Sequence, residues 1–86
     1  MLEICRFLGI VITMYCNDRD PRHFHVRYGE FRATFAIDAL EVLDGQLPPR
    51  VVGLVAEWAA LHRFEHRRNW TLLATEGKLR RIEPLA

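Results

Sequence analysis

The sequence lacks the features that mark membrane, secreted and modular proteins. No apolar run in its 86 residues approaches the roughly 20 residues that a membrane-spanning helix needs. The apolar start carries Glu3 and Arg6 and has neither a basic segment nor a small-residue cleavage site, so it does not predict a signal peptide. There is no repeat, low-complexity tract or linker. We therefore expect one domain over residues 1–86, in a cytoplasmic protein without a membrane segment.

The chain has few cysteines and almost no net charge. Cys5 and Cys16 are too few for a disulfide framework, and both lie in apolar segments, where a free cysteine acts as a small hydrophobic residue. The net charge is +1, but its distribution is uneven. Residues 38–57 carry four acidic residues against one arginine, whereas residues 63–81 carry six basic residues against two acidic ones. This asymmetry suits either a polyanion or an acidic protein partner.

Apolar and polar residues alternate on either side of Gly29-Glu30 and predict a β-hairpin, because this pair favours a two-residue turn. The register then puts three pairs on one apolar face: Tyr28 opposite Phe31, Val26 opposite Ala33, and Phe24 opposite Phe35. The other face carries three more pairs: Arg27 opposite Arg32, His25 opposite Thr34, and His23 opposite Ala36. Further strands are predicted over residues 10–16, 42–44 and 79–83.

The second half of the chain has the period of a helix. Apolar residues recur at i, i+3, i+4 and i+7 spacing from Val51 to Leu73. This spacing predicts one helix over about residues 49–76, with its one candidate bend at residues 67–69. The fold prediction is α+β: a small antiparallel sheet of three to five strands covered by one long C-terminal helix. The sequence leaves open which face of the sheet this helix covers.

His23 and His25 are the candidate catalytic residues. They project from the strand face opposite Phe24, with Cα atoms roughly 6.5–7 Å apart. Histidine titrates near neutral pH, so the pair suits general acid and base catalysis in a metal-independent, ribonuclease-like cleavage of a phosphodiester. The residues leave open whether the protein is an enzyme, and this chemistry requires no cofactor.

Arg27 and Arg32 predict an anion-binding surface beside these histidines. Like charges directly opposite each other in a sheet are unfavourable unless the two side chains splay apart or an anion bridges them. Phosphate contacts need such donors. Thr34 adds a hydroxyl to this surface, and Tyr15 is a candidate for stacking on a base. His62 of the helix is a further candidate binding residue. Together these residues predict RNA as a ligand.

Two alternatives stay open. The first is a divalent-metal-binding module, because the spacing of His23 and His25 suits one zinc-like ion, and His62 would join them if the helix covered the histidine face. If the helix covers the apolar face instead, His62 becomes a core histidine bonded to backbone, with His66 one turn further at the edge of the apolar stripe. The second alternative is an interaction module, since exposed strand edges suit a partner protein or a homodimer.

Almost the whole chain resembles an uncharacterised bacterial family catalogued as domain of unknown function 4160. The shared motifs are ICRFLGIVITMY, NDRDPRHFHVRYGEF, LEVLDGQLP, VAEWAALHRFEHRRNW and IEPL. The three histidines His23, His25 and His62 match the family pattern. Arg19 and Arg22 stand where relatives carry a histidine and a second proline. Because an arginine does not replace a histidine as a metal ligand, this departure favours the anion site.

The resemblance implies a partnership rather than a reaction. Members of this family are suspected of belonging to toxin–antitoxin pairs and are encoded beside a second small protein. The resemblance therefore implies a toxin–antitoxin-type component that acts on RNA or through that partner protein, with the histidine and arginine surface as its functional site.

Overall fold

The computed structural model describes residues 2–15 and 19–85. These residues form five strands and two helices: β1 (Leu2–Phe7), β2 (Ile10–Met14), β3 (His23–Tyr28), β4 (Phe31–Ala36), β5 (Val42–Gly45), α1 (Pro49–Leu61) and α2 (Arg63–Glu76). Neighbouring strands are antiparallel and lie in the sheet in chain order, since each connection returns the chain beside the strand just formed. The α+β class and the antiparallel sheet are confirmed, and the strand number lies within the predicted range.

The β3–β4 hairpin has the predicted register at all six pairs, from His23 opposite Ala36 to Tyr28 opposite Phe31. Gly29 opens the turn with a φ of 57°, a conformation that glycine adopts without the steric cost that other residues meet. Because a slip of one residue would exchange the two faces of a strand, the turn determines which side chains share each face.

β1 pairs with β2 through a tight turn at Leu8 and Gly9, whose φ angles are 50° and 80°. A register shift lies between Glu3 and Cys5, and an extra residue of this kind turns two successive side chains to one side. Ile4 and Cys5 accordingly both lie in the core, at 0% and 2% exposure. Glu3 remains on the opposite face of the sheet, where it lines a groove.

Two predictions fall partly on residues that the structure does not describe. The strand predicted to end at residue 16 is described as β2 as far as Met14. Cys16 itself lies outside the described residues. Cys5 is a buried free cysteine, as predicted for a small hydrophobic residue, and burial raises the pKa of its thiol.

The prediction of one long helix is wrong, because the chain leaves the helical conformation at His62. This residue has φ −121° and ψ 26°, away from the values of an α-helix, and its N–H donates to the carbonyl of Ala59. Residues 67–69, where a bend was proposed, lie within α2, and the break comes earlier, at His62. α2 ends at Glu76, as predicted, and Gly77 caps it with a left-handed φ of 69° and an N–H that donates to the carbonyl of Leu73.

Both helices cover the Phe24 face of the sheet. Trp58 of α1 is 0% exposed, and its ring centroid lies 5.4 Å from that of Phe7 and 6.0 Å from that of Phe24. Leu73 of α2 joins the same core. Burial of the aromatic side chains explains this choice, because it removes the largest apolar area from water. No helix in the described part of the chain lies over the face that carries His25.

The predicted edge strand at residues 79–83 is wrong, since residues 78–85 form no strand. A side chain of α2 holds this segment instead. The Asn69 amide donates from Nδ2 to the carbonyl of Arg80 at 2.7 Å, and its Oδ1 accepts from the N–H of Arg80 at 2.9 Å. Asn69 is 0% exposed, so it satisfies buried backbone groups that a strand would pair in a ladder.

Two further bonds attach the C-terminal segment to both layers. Trp58 Nε1 donates to the carbonyl of Glu83 at 2.7 Å, and the N–H of Ile82 donates to the carbonyl of Ile4 in β1 at 3.1 Å. The segment therefore lies along the outer side of β1 at that point. Among the described helices, neither is long and apolar enough to cross a membrane.

Candidate functional site

The open face is the sheet surface opposite the helices, and its side chains form two rows that cross the strands. The polar row consists of side chains that are partners in successive strands: Glu3, Thr13, His25, Thr34 and Asp44. The basic row lies beside it and has four members: Arg6, Val11, Arg27 and Arg32. Both rows follow from antiparallel pairing, which places partner side chains on the same face about 4.5–5.5 Å apart.

A groove of about 370 Å³ runs over these rows. Of the residues predicted from sequence, five line it: Tyr15, His25, Arg27, Arg32 and Thr34. Five lining residues of β1, β2 and β5 were not predicted from the sequence: Glu3, Arg6, Val11, Thr13 and Asp44. The missed signal is the pairing of β1 with β2, which places charged residues of β1 on the same face of the sheet as His25 and Arg27.

Tyr15 and His25 form a stacked aromatic pair at one end of the groove. Their ring centroids lie 4.1 Å apart with an interplanar angle of 20°, and Tyr15 is 41% exposed. Tyr15 follows β2 directly, so its ring reaches the side chain of the next strand. This arrangement leaves an aromatic surface on the open face, which suits stacking with a planar ligand.

His23 adjoins this pair at the start of β3. Its ring centroid lies 5.1 Å from that of His25, edge-on, and 5.2 Å from that of Trp70 in α2. Its Nδ1 donates to the carbonyl of Pro21 at 2.8 Å, which orients the ring. The two predicted catalytic histidines are therefore neighbours, with His25 in the groove and His23 between the groove and the helix layer.

Arg27 and Arg32 face each other across the β3–β4 hairpin, and both are exposed. Neither guanidinium forms an ion pair with any residue in the ranges 2–15 and 19–85. Two positive charges at facing positions repel each other, and an arginine fork presents donors that match a phosphate or carboxylate. The arginine pair is therefore the part of the groove best suited to an anion.

Glu3 and Asp44 give the two sides of the groove different charge. Glu3 accepts from Arg6 at 2.8 Å and from Arg81 at 3.1 Å, and the bond from Arg6, followed by the bond from Arg81, lowers the pKa of its carboxyl. The β1 side therefore carries two arginines for one carboxylate. Asp44 is exposed on β5, opposite Thr34, and makes no ion pair within the described ranges, so the β5 side is negative.

Arg22 is not part of the groove, although it was singled out in the sequence. It pairs with Asp38 at 2.9 Å, and Arg67 of α2 pairs with the same carboxylate at 2.7 Å. The bond from Arg67, and then that from Arg22, lowers the pKa of Asp38. This trio attaches α2 to the turn after β4. Since all three side chains are partly exposed, their contribution to stability is small.

His62 lies away from the groove, at the junction of α1 and α2. Its Nδ1 donates to Glu65 Oε1 at 2.6 Å, and its ring centroid lies 5.9 Å from that of Trp58. The described residues contain no group of three or more His, Cys, Asp or Glu side chains placed to hold a metal ion. The structure therefore does not bring His62 together with His23 and His25, as the metal alternative requires.

His66, not His62, is the core histidine. It is 1% exposed, stacks on Phe24 at 4.8 Å and meets Trp58 edge-on at 4.6 Å. Neither of its ring nitrogens has a hydrogen-bond partner in the part of the chain described. Burial, and to a lesser extent the neighbouring His62, lowers its pKa from 6.5 to about 3. His62, one turn earlier at the break between the helices, is only half-buried.

Comparison with known proteins gives one match. Residues 9–71 match the model of a family described as "Domain of unknown function (DUF4160)", which confirms the resemblance found in the sequence. No curated protein and no solved structure matches significantly. The matched range runs from the end of the first turn into α2, so it includes the arginine pair, His23 and His25, and it excludes Glu3 and Arg6 of β1.

Proposed function

Because the chain belongs to the DUF4160 family, whose description names no activity, we propose a function from the site itself: the open face binds single-stranded RNA. One observation carries this proposal. A single groove combines a stacked aromatic pair, Tyr15 and His25, with an arginine pair, Arg27 and Arg32, that has no ion-pair partner among the described residues. Proteins that bind single-stranded nucleic acid use this combination of stacking surface and positive groove.

The arginine pair supplies the phosphate contacts. Guanidinium groups bind phosphate oxygens through paired, charge-assisted hydrogen bonds. Arg27 and Arg32 project side by side from neighbouring strands, so one phosphate between them removes their mutual repulsion while it gains bonds from both. Thr34 lies two positions after Arg32 in β4 and adds a hydroxyl on the same face.

The aromatic pair supplies the base contact and favours a single strand. A base reaches an aromatic ring only when it is not stacked in a duplex. Tyr15 keeps 41% of its surface exposed while it stacks on His25, so a base can extend the stack. The groove of the protein, at about 370 Å³, is also too small to hold a double helix.

Fluorescence anisotropy with a labelled single-stranded RNA of mixed sequence tests the proposal. We expect binding at low salt that weakens as salt rises, because arginine–phosphate contacts release counterions. Arg27→Ala and Arg32→Ala should each weaken binding about tenfold or more, and each should lower the slope of log affinity against log salt by roughly 1. Tyr15→Ala should weaken binding through lost stacking, worth about 1–3 kcal/mol.

Arg50→Ala is the matched control, since Arg50 is an exposed arginine in the first turn of α1, away from the groove. It should bind as the wild type does. Absence of binding by the wild type at low salt, or an equal loss in Arg50→Ala and Arg32→Ala, would reject RNA binding at this face. A duplex of the same sequence should bind more weakly than the single strand.

Cleavage of the bound RNA by His23 and His25 stays a prediction. One imidazole would take the proton of a ribose 2′-hydroxyl as the 2′-oxygen bonds to phosphorus, and the other would give a proton to the departing 5′-oxygen. The products would be a 2′,3′-cyclic phosphate and a 5′-hydroxyl. Gel analysis of the same RNA with wild type, His23→Ala and His25→Ala tests this, and intact RNA with the wild type would limit the function to binding.

The partnership suggested by the family resemblance is a separate proposal. It states that the protein works in a toxin–antitoxin pair in the cytoplasm, with a second small protein encoded nearby, or as a homodimer. Co-expression with the neighbouring gene product, followed by affinity purification and measurement of growth, tests it. Co-purification together with a change in growth supports the pair. Separate elution of both proteins, with unchanged growth, rejects it.

A further inference from the structure

We infer that the groove holds the terminal nucleotide of an RNA strand whose end carries a phosphate monoester, and that this phosphate lies between Arg27 and Arg32. This inference rests on the proposed function and narrows it to one class of ligand, a terminal phosphate rather than the internal phosphodiester chain. Three features of the open face support it: the size of the groove, the charge of the arginine pair and the carboxylate on β5.

The first feature is the capacity of the groove. Its volume of about 370 Å³ lies at the lower end of the range of about 300–1,000 Å³ in which proteins bind one small molecule. A ribonucleotide is a ligand of that class, whereas a longer strand needs a continuous channel. The ring of Tyr15 stacks on His25, which precedes Arg27 by two positions in β3, roughly 6.5–7 Å along the strand. This spacing suits a base on the aromatic pair and a phosphate at the arginine pair.

The second feature is the charge of the arginine pair. Two facing guanidinium groups, without ion-pair partners among the described residues, carry two positive charges at one point. A phosphate monoester carries a charge between about −1.5 and −2 at neutral pH, whereas an internal phosphodiester carries only one negative charge. The monoester therefore neutralises both arginines, and it offers three terminal oxygens for their paired donors.

The third feature is the carboxylate of Asp44 on β5. Asp44 of β5 lines the groove next to Thr34, so a phosphate chain that continued across β5 would meet a negative charge. On the other side, the carboxylate of Glu3 is bonded to Arg6 and Arg81, which leaves that side positive. The strand can therefore leave the groove over β1 but not over β5, and it ends at the arginine pair.

The test compares RNAs that differ only at one end. A short single-stranded RNA labelled at one end carries either a phosphate or a hydroxyl at the other, in both the 5′ and the 3′ orientation. Binding is measured by anisotropy for wild type, Arg27→Ala, Arg32→Ala and the control Arg50→Ala. A free nucleoside monophosphate and the matching nucleoside then serve as unlabelled competitors, which separates an RNA end from a free nucleotide as the source of the phosphate.

We expect at least one phosphate-ended RNA to bind about tenfold more tightly than its hydroxyl-ended counterpart. Arg27→Ala and Arg32→Ala should remove this preference, and Arg50→Ala should keep it. Asp44→Asn should improve binding of the hydroxyl-ended RNA and so narrow the preference, because it removes the repulsion of an internal phosphate. Circular dichroism confirms that each variant is folded; all four positions are exposed.

Three other results are decisive in different ways. If both RNAs bind equally and both depend on the arginine pair, RNA binding stands and the terminal-phosphate inference is overturned. If no RNA binds but the nucleoside monophosphate binds through Arg27 and Arg32, the phosphate site is supported and RNA as its source is overturned. If neither RNA nor nucleotide binds at low salt, both proposals fail.

Discussion

At the scale of single residues, the facing arginines on the open face destabilise the folded protein. Arg27 and Arg32 stand at partner positions in the β3–β4 hairpin, where opposite charges would stabilise the sheet and like charges oppose it. The other face of the same hairpin carries favourable apolar pairs, such as Phe24 and Phe35, whose ring centroids lie 5.3 Å apart. The arginine pair is therefore a local conflict of the kind that accompanies a binding site.

Arg32→Glu should increase stability and abolish RNA binding. The glutamate would face Arg27, so repulsion becomes attraction and the free energy of unfolding should rise by roughly 0.2–1 kcal/mol. Urea denaturation measures this change, and anisotropy measures the loss of binding. The double change Arg27→Glu with Arg32→Glu is the control, since it restores a like-charge pair and should lose the gain. The explanation would be contradicted if Arg32→Glu were less stable than the wild type, or if the double variant were as stable as Arg32→Glu.

His66 should make the protein sensitive to acid. Its pKa falls from 6.5 to about 3 in the folded protein because it is buried, so only the unfolded state takes up a proton as the pH falls below 6.5. Stability that is fully present above pH 6.5 is therefore lost as the pH falls toward 3. Between pH 7.5 and pH 5 the loss should be roughly 2 kcal/mol.

The variant His66→Phe tests this, because it keeps a ring against Phe24 and removes the titrating group. Chemical denaturation at both pH values should show a loss in the wild type that is absent in the variant. Val52→Ala in α1, a half-buried position that packs against the core, is the control: it should be less stable at both pH values but keep the wild-type pH dependence. The same acid loss in His66→Phe would assign it to other groups.

At the scale of elements, the pairing of β3 with β4 could be predicted from sequence, whereas the helix break could not. The hairpin register follows from alternation and a two-residue turn, which are both local. The buried residues of the helices, by contrast, keep helical spacing across the break: Trp58 and Ala59 in α1 are followed by His66, Asn69 and Leu73 in α2. Because both helices bury the same stripe, periodicity is uninterrupted, and only the backbone at His62 reveals the break.

The same limit applies to the candidate site. Its hairpin half, with His25, Arg27, Arg32 and Thr34, was predictable because it follows from one turn. The contribution of β1 depends on a register shift beside Glu3, which moves the side-chain alternation by one residue. No composition or spacing rule indicates such a shift, so this half of the groove emerges only from the assembled sheet.

Gly45 allows the backbone of β5 to lie close to the backbone of Arg32 in β4. It has a φ of 84°, and a Cβ added there would lie 2.2 Å from the carbonyl oxygen of Arg32. Gly45→Ala should therefore push β5 away from β4, destabilise the fold by more than about 1–2 kcal/mol and weaken RNA binding through a displaced Arg32. Thermal denaturation and anisotropy measure both effects.

Gly29→Ala is the matched comparison. Gly29 also has a positive φ, 57°, but a Cβ there meets nothing within 4 Å. It should show the conformational cost alone, about 1 kcal/mol, with a smaller loss of stability than Gly45→Ala. Equal losses in the two variants would show that the close approach to Arg32 has no effect of its own.

At the scale of the whole molecule, the C-terminal segment joins the two layers. Helix side chains bond its backbone through Asn69 and Trp58, while Ile82 bonds β1 through Ile4. Arg81 extends this connection to Glu3 on the open face. The segment therefore links the helix layer to the strand that forms one side of the groove.

Asn69→Ala should release this segment. The change leaves buried backbone groups of Arg80 without partners, which costs about 1–3 kcal/mol, and it should increase hydrogen exchange at the amide of Ile82, which bonds β1. Hydrogen exchange followed by NMR measures the local effect. Thr71→Ala, at an exposed position of α2, is the control and should leave the Ile82 amide protected. Unchanged protection in Asn69→Ala would show that Trp58 suffices to hold the segment.

The alternation of the strands has a consequence for how this sequence can change. The residues that stabilise the fold and the residues that line the groove come from the same strands but lie on opposite faces of the sheet. Substitutions at Thr13, His25 and Thr34 therefore meet few constraints from the core on the other side. Ligand preference can diverge among related sequences, or be selected from a library randomised at groove positions, while the hydrophobic face that determines folding stays the same.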